Sequence, residues 1–223
     1  VPQPARTDRR ETYHRFMDAA ENIFIRFGYE GASIRMISRE ADAPLGTLHH
    51  YWGSKEVLFR DTCERRFGPI LALQEARLLE CERRMDAGEL VEVQEVVRAL
   101  IEPPLLADGG RGAAPTGDVI RMFYGRVLTE PSEVVKRIVR DLFNAPSVRF
   151  HTLMRRLHPQ HDDASFYWRF TCAIGAFIFA QSFGDRVAYA EGRPLGDVDW
   201  RLVVGEIVCF IVRGMSKGPF QPG

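Results

Sequence analysis

The segment Leu45-Gly-Thr-Leu-His-His-Tyr51 carries an unusual set of groups for its length. Gly46 has no side chain to hold a neighbouring surface away. Thr47 offers a methyl group and a hydroxyl, a pair that suits a thymine methyl and a base edge or phosphate. His49, His50 and Tyr51 follow on a short arc, each able to donate to a phosphate oxygen. Ser33 and Lys55 stand near helix amino ends, where backbone amides and a cation favour an anionic oxygen. The chemistry these residues could perform together is recognition of duplex DNA. Leu48 reads as the core residue that locks the segment to Ile37. The competing reading is a plain turn between packed helices, with His49 and His50 solvated and Tyr51 and Trp52 in the core. Taken as a group, the residues favour DNA.

Such a surface must be positioned by a helix-turn-helix, in which the second helix enters the major groove and the first braces it. The sequence supplies the parts. A first helix is predicted over about Thr7–Phe27, with Tyr13, Phe16, Met17, Ala20, Ile23, Phe24 and Phe27 at helical spacing. Gly28 is expected to end it as a left-handed cap. Ser33 reads as the N-cap of a second helix whose apolar stripe is Ile34, Ile37 and Ala41. Asp42-Ala43-Pro44 makes the turn, with Pro44 suited to opening the third helix at Leu45. Trp52-Gly53 closes that helix, and Ser54 caps a fourth.

The fourth helix continues past Gly68-Pro69, where a kink or break is predicted, and resumes over Leu71–Met85. A fifth spans about Leu90–Leu106, bent or ended by Pro103 and Pro104. Asp108–Gly117 is the clearest loop. Helices follow at about Asp118–Thr129 and Ser132–Leu157, the latter broken at Pro146, then at Ala164–Ala190 and Asp199–Ser216. Residues 1–6 read as a flexible arm. No alternating strand pattern and no repeat occur. The prediction is an all-α chain of about nine helices. A three-helix head with the helix-turn-helix (residues 1–53) precedes a larger ligand-binding and dimerisation body (residues 54–223), joined by the fourth helix.

Composition sets limits on partners. The chain has 223 residues, 45% apolar and 27% charged, with no net charge. Residues 1–60 hold nine Lys and Arg against eight Asp and Glu, so DNA binding must rest on a few placed donors and not on bulk charge. Residues 109–160 are the basic stretch, with nine against four. Cys63, Cys81, Cys172 and Cys209 match no zinc or redox spacing and read as reduced core residues of a cytoplasmic protein. No secretory signal precedes the first helix, and the opening at Val1 leaves room for an upstream start. The longest apolar run, Ala173 to Ala180, is far short of a membrane span, so no membrane partner is expected.

The pattern G-Y-x-G-x-S-I-x-x-I-x-x-x-A followed by G-T-L-H-H-Y-W-x-S-K-E-x-L resembles the amino-terminal domain of the TetR family of bacterial transcriptional regulators. It covers about residues 12–59. The resemblance implies a homodimer with two DNA-reading heads and a helical ligand-binding body. It implies DNA contacts at Ser33, Arg35, Leu45, Thr47, His49, His50 and Lys55. Two departures stand out: Asp42-Ala43-Pro44 where members often have Gly-Val-Ser, and His49 where many have Tyr. An aspartate beside phosphates would be repelled unless it faces away.

In the body, Arg121, Phe123, Tyr124, Phe143, Arg149, Phe150, Trp168 and Arg169 combine aromatics with cations, a lining that suits an anionic amphiphile. Residues 118–170 faintly resemble regulators that respond to fatty acids or their thioesters. The competing reading makes these aromatics ordinary core and the arginines solvated. The last two helices read as a dimer surface built from Phe166, Phe170, Ile174, Phe177, Ile178 and Gln181 on one and Val203, Ile207, Phe210 and Ile211 on the other. Gly175, Ala176 and Ala180 would admit a partner helix, giving a four-helix bundle. A single-chain core is the alternative.

Other chemistry lacks support. His158-Pro-Gln-His161 with Asp162 and Asp163 could bind a metal, but a solvated helix start capped by Asp162 is the preferred reading. No Ser/His/Asp or Cys/His arrangement and no phosphate-cradling glycine motif is present. No cofactor and no enzymatic activity are expected. The function expected is a ligand-responsive repressor released from a palindromic DNA operator by a small hydrophobic or amphipathic, fatty-acyl-like effector. The rival class is an all-α small-molecule-binding enzyme or carrier whose head serves only assembly.

Overall fold

The computed structural model describes residues 6–107, 117–182 and 198–216. Among them are nine helices and no strand: α1 (Arg6–Gly31), α2 (Ile34–Glu40), α3 (Leu45–Trp52), α4 (Lys55–Asp86), α5 (Val93–Leu105), α6 (Gly117–Thr129), α7 (Glu133–Leu157), α8 (Asp163–Ser182) and α9 (Trp200–Ser216). The fold is all-α, as the periodicity requires. The expected arm over residues 1–5, the loop before Gly117 and the end of the eighth helix after Ser182 lie outside the described residues.

The structure departs from the glycine and proline signals in three places. Gly28 is not a left-handed cap: its φ of 70° goes with a ψ of 178°, and one more helical turn follows to Gly31. That backbone region is open to glycine almost alone. α4 runs unbroken through Pro69, and α7 through Pro146. An interior proline removes one backbone hydrogen bond and crowds the preceding turn. Burial outweighs that loss here. Phe67, Ile70 and Leu71 are buried around Pro69, and Phe143 and Phe150 around Pro146. Pro103 and Pro104 do lie in the last turn of α5, which ends at Leu105.

The chain divides into two compact units. The first holds α1–α3, α4 as far as Gly68, and the stretch Arg126–Asp141; the second holds Pro69–Gly125 and the residues from Leu142 onward. The division falls inside α4, α6 and α7, so three helices are shared by both units.

The first unit is built around Phe16, Phe24, Leu48, Leu58, Phe59 and Phe67, all fully buried. Phe24 meets Phe59 edge-on at 4.8 Å between centroids, a favoured aromatic geometry. Glu21 is buried beside them. Arg66 Nη2 donates to its Oε2 at 2.5 Å and Arg65 Nη2 donates to the same oxygen at 3.2 Å. Residues 126–141 join this unit through buried Val127, Val135 and Ile138 and through polar links at their rim. Ser132 Oγ donates to Glu30 Oε1 at 2.6 Å, Arg137 Nη2 to Glu56 Oε1 at 2.7 Å, and Arg60 Nη2 to Asp141 Oδ2 at 2.7 Å.

In the second unit α9 packs against α5 and α8. Its core includes Leu78, Val96, Ile101, Phe123, Tyr124, Phe150, Leu153 and Met154. A capping box opens α5, with Glu92 N–H donating to Glu95 Oε1 at 2.9 Å. Asp162 caps α8, accepting from Ser165 N at 2.7 Å. His158 and His161, expected to be solvated, are instead buried and stacked, 5.8 Å between centroids. His158 Nδ1 lies 2.8 Å from Met154 O and His161 Nε2 lies 2.6 Å from Met215 O, so the pair ties the α7–α8 turn to the end of α9. Among the described residues no three His, Cys, Asp or Glu side chains are grouped to hold a metal ion. None of the described helices is long and apolar enough to cross a membrane.

Candidate nucleic-acid interface

The brace helix α2 is fixed at both ends. Ser33 Oγ accepts from Met36 N at 3.2 Å, satisfying one orphan amide of the first turn. At the other end Asp42 N donates to Arg39 O at 3.1 Å and Ala43 N to Ser38 O at 3.1 Å, a Schellman closure. That closure needs a left-handed residue, and Asp42 supplies it at φ 45°. Ser38 Oγ donates to Ala43 O at 2.6 Å. Arg15 of α1 clamps the turn from outside: its Nη2 is 2.5 Å from both Ala41 O and Asp42 O. The Asp42 carboxylate is exposed, with Oδ2 3.8 Å from Arg15 Nη2, so its charge is partly offset.

α3 follows directly. Pro44 takes the N-cap position, directly before the helix start at Leu45, and supplies no side-chain cap. Leu48 and Trp52, four residues apart on one face, are buried. Trp52 stacks on Tyr13 at 5.0 Å, meets Phe16 at 5.9 Å, and donates from Nε1 to Asp61 Oδ2 at 2.9 Å. Those contacts rotate the remaining positions outward. Gly46, His49 and His50 are exposed, and Leu45, Thr47 and Tyr51 are half-buried. A Cβ placed on Gly46 would meet nothing within 4 Å, so the protein's own packing does not demand glycine there. The open space faces outward, where another molecule could approach.

Three predicted contacts have internal duties. Tyr51 meets Tyr13 edge-on at 5.7 Å. His49 Nδ1 lies 3.4 Å from Gly53 O. Lys55 Nζ donates to Tyr29 O at 2.8 Å and Ala32 O at 3.1 Å and stands 4.2 Å above the Tyr29 ring. Ser33 keeps its hydroxyl proton while its oxygen caps α2, and Arg35 is exposed on α2. The roles of Arg15 and Tyr13 in holding this surface escape sequence reasoning. Both lie on α1, outside the helix-turn-helix segment; helical spacing marks Tyr13 as a packing position but not its partners on α3, and nothing local marks Arg15.

Residues 16–62 match the model for bacterial regulatory proteins of the tetR family, and residues 98–214 match that for the tetracyclin repressor-like C-terminal domain. The chain belongs to the TetR family. It is a DNA-binding, helix-turn-helix transcriptional regulator, and α2–α3 is its helix-turn-helix. It is similar to the HTH-type transcriptional repressor KstR of Rhodococcus jostii (strain RHA1), 25% identical over 152 residues that cover 60% of this chain and 70% of that protein. In fold it is similar to the fatty acid degradation regulator FadR from Bacillus halodurans, with a TM-score of 0.59 and 12% identity over 90% of this chain and 97% of that one. It is likewise similar to the TetR-family regulator PfmR from Thermus thermophilus, with a TM-score of 0.57 and 15% identity over 91% of this chain and 100% of that one.

In this TetR-family chain the residues expected to bind ligand do not gather at one point. Tyr124 and Phe143 meet edge-on at 5.2 Å, and Phe123 is buried in the same helix as Tyr124. Burial pushes the Tyr124 hydroxyl well above the usual phenol range, so it stays neutral, and it accepts from Gln74 Nε2 at 3.4 Å. Arg121 Nη1 donates to Leu105 O at 2.9 Å and its guanidinium lies 4.2 Å over the Trp200 ring. Arg149 is paired with Glu75 at 2.8 Å and with Glu82. Phe150 lies against Phe170 at 5.5 Å. Trp168 and Arg169 border a cleft that none of the other six lines. It measures about 310 Å³ and lies between α8 and α9, with Phe210, Ile211 and Met215 also on its border, and Arg169 donates to Gly214 O.

The residues expected at a dimer surface divide in two. Phe177, Gln181, Ile207 and Ile211 are buried within the unit, as is Phe166. Phe170, Ile174, Ile178 and Val203 are half-buried, and Phe210 is 62% exposed. Trp168 and Leu202, neither assigned to that surface, are exposed as fully as Phe210. All four cysteines are free; Cys63 and Cys81 are core residues, but Cys172 is exposed on α8 and Cys209 half-buried on α9.

Proposed function

We propose that this regulator is a homodimeric, cytoplasmic repressor that sets two α3 helices in successive major grooves of a palindromic operator and leaves it when a small effector binds the second unit. It works by binding alone, without catalysis. The observation that carries the DNA reading is the split of α3 into a buried face, Leu48 and Trp52, and an outward face of Gly46, His49 and His50 with Thr47 beside them. Gly46 and Thr47 would meet base edges; Ser33, Arg35, His49, His50, Tyr51, Leu45 and the remaining N–H of Lys55 would line the backbone.

Dimerisation is supported by the exposed Trp168, Leu202 and Phe210 and by Gly175, Gly205 and Gly214, where an added Cβ would meet nothing within 4 Å. Large exposed apolar groups beside open glycines suit close helix approach by a second copy. The aromatic interior around Tyr124 and Phe143 suits a small hydrophobic or amphipathic effector, with fatty-acyl compounds as one class. α4, α6 and α7 belong to both units, so a shift made in one is carried to the other along continuous helices. A coupling of about 1–3 kcal/mol would suffice for induction.

Titration of the full chain against random and palindromic duplexes at rising salt tests the reading. A steep linear fall of log affinity with log salt is expected, because phosphate contacts release counterions. A chain that stays monomeric in sedimentation, or that ignores all duplexes at low ionic strength, refutes it.

A further inference from the structure

The ten residues Gly205-Glu-Ile-Val-Cys-Phe-Ile-Val-Arg-Gly214 of α9 read nearly alike from either end. A glycine stands at each limit, a charged residue beside it, then two β-branched residues, and Cys209 and Phe210 meet in the middle. The charges differ in sign: Glu206 is acidic and Arg213 basic. The helix sorts these positions by face. Ile207, Val208 and Ile211 are buried, with Val204 and Met215, and α9 packs on α5 and α8. Glu206, Phe210, Arg213 and Gly214 are exposed, and Gly205 and Cys209 are half-buried.

Glu206 and Arg213 share one side of the helix but lie two turns apart, about 10 Å along its axis, too far to pair with each other. Neither is paired with another described side chain. The other charges near the start of α9 are placed or used differently. Arg201 falls about 140° round the helix from Glu206. Asp199 caps the helix, accepting from Arg201 N at 3.0 Å and Leu202 N at 3.3 Å. On α8 the exposed positions Trp168, Thr171, Cys172, Gly175 and Phe179 carry no charge. A largely apolar stripe with one acid and one base at equal distances from its centre is complementary to itself. A twofold axis through that centre brings residue i against residue j and j against i. Each Glu206 then stands against an Arg213, so one acid and one base per chain give two ion pairs. A partner of different sequence gains nothing from this inversion.

We infer that α9 pairs antiparallel with the α9 of a second copy of this chain, about a twofold axis passing between Cys209 and Phe210, so that Glu206 of each subunit meets Arg213 of its partner. Gly205 and Gly214, where an added Cβ would meet nothing within 4 Å, flank the contact at its two ends and let the helices close on each other. The two pairs set the register and favour a second copy over a related regulator with other charges at these positions. This rests on the homodimer reading and adds to it the residues that choose the partner.

The test measures dimer dissociation of the full chain by sedimentation, without DNA and at low salt. Glu206→Arg and Arg213→Glu each set like charges together twice across the axis, and each should weaken dimerisation about tenfold or more. Mixed in equal amounts, the two variants should form a heterodimer as tight as the parent dimer, because both ion pairs are restored in it. A second arm uses Cys172→Ser, in which Cys63 and Cys81 are buried and Cys209 is the thiol beside the axis. Oxidation with copper phenanthroline should link two chains through Cys209, and adding Cys209→Ser should abolish the link. A monomeric parent ends the homodimer reading and the inference with it. If the parent dimerises but the folded charge variants match it, or are weakened and not rescued by mixing, the register is overturned while the homodimer stands. Absence of the Cys209 link overturns it equally, and that arm alone decides should a charge variant fail to fold.

Discussion

Lys55 sits over the ring of Tyr29, with Nζ 4.2 Å from the centroid, and donates at 2.8 Å to the carbonyl of the same residue. A second bond to Ala32 O at 3.1 Å makes this cation a clasp between the start of α4 and the segment entering α2. A group expected to serve phosphate thus spends most of its donors inside the protein. Lys55→Met keeps the stem, removes the charge and strands two carbonyls. The loss should be about 1–3 kcal/mol of stability, read as a lower urea midpoint. Binding to specific and random duplexes should weaken by the same factor. An unchanged midpoint would mean that the clasp contributes nothing.

Gly28 is the next strained point. Its φ of 70° and ψ of 178° exclude side chains, and an added Cβ would lie 2.6 Å from Arg126 Nη2 and 2.9 Å from Glu130 Oε2. The two contacting groups are ends of long side chains and can retreat; the backbone cannot. Gly28→Ala should therefore cost about 1–3 kcal/mol, mostly from the backbone. Gly31→Ala is the control, since its Cβ would meet Phe27 Cβ at an acceptable 3.4 Å. Equal melting temperatures for the two variants would show that the strain at Gly28 is not real.

The head was legible because its signals are local. Ser33 and Leu48 each act within a few residues of their place in the chain, as N-cap and as buried face, and the family pattern covers the same stretch; Trp52, read as closing α3, is buried as the competing reading had it. Arg15, Tyr13 and the joining of residues 126–141 to the head were not legible, since each depends on contacts between distant parts of the chain. The two interior prolines misled because tertiary packing overrode a local rule. α8 misled for the opposite reason. Its side chains are apolar on nearly every face, so spacing alone could not say that Phe177 turns inward and Trp168 outward.

Asp42 occupies a left-handed position that glycine would take more easily. It also adds a negative charge to the turn before α3. Asp42→Gly removes both handicaps and gives up only an exposed 3.8 Å contact with Arg15, a kind of pair worth about 0–1 kcal/mol. Stability should stay level or rise by up to about 1 kcal/mol, and duplex affinity should increase most at low salt, where the charge is least screened. Weaker duplex binding at low salt would show that the carboxylate helps the complex instead of opposing it.

His158 supplies a pH dependence. Burial lowers its pKa first, the nearby His161 and Arg169 act the same way, and the bond to Met154 O opposes them. The folded chain thus holds His158 neutral while the unfolded chain binds a proton at the ordinary imidazole value of about 6.5. Stability from this residue is fully present above that value and is lost as pH falls from it toward the depressed folded value. Urea midpoints between about pH 8 and pH 5 should fall on the acid side, and His158→Gln should flatten that fall. A variant with the same acid slope as the parent would place the proton uptake elsewhere.

Thr47 and His50 should separate the two kinds of DNA contact. Thr47 is half-buried beside the outward face of α3 and can bring its methyl and hydroxyl to a base edge, whereas His50 is exposed in the last turn of the helix. His50→Ala should weaken all duplexes alike and reduce the salt slope by about 1, as loss of one phosphate contact does. Thr47→Ala should leave the salt slope unchanged and lower the ratio of operator to random affinity by roughly 1–3 kcal/mol. The pairing of effects is what matters, because a merely unfolded head would lose specific and random binding together with the slope. Equal discrimination by parent and Thr47→Ala would remove Thr47 from the residues that read sequence and leave the backbone of Gly46 as the nearer candidate.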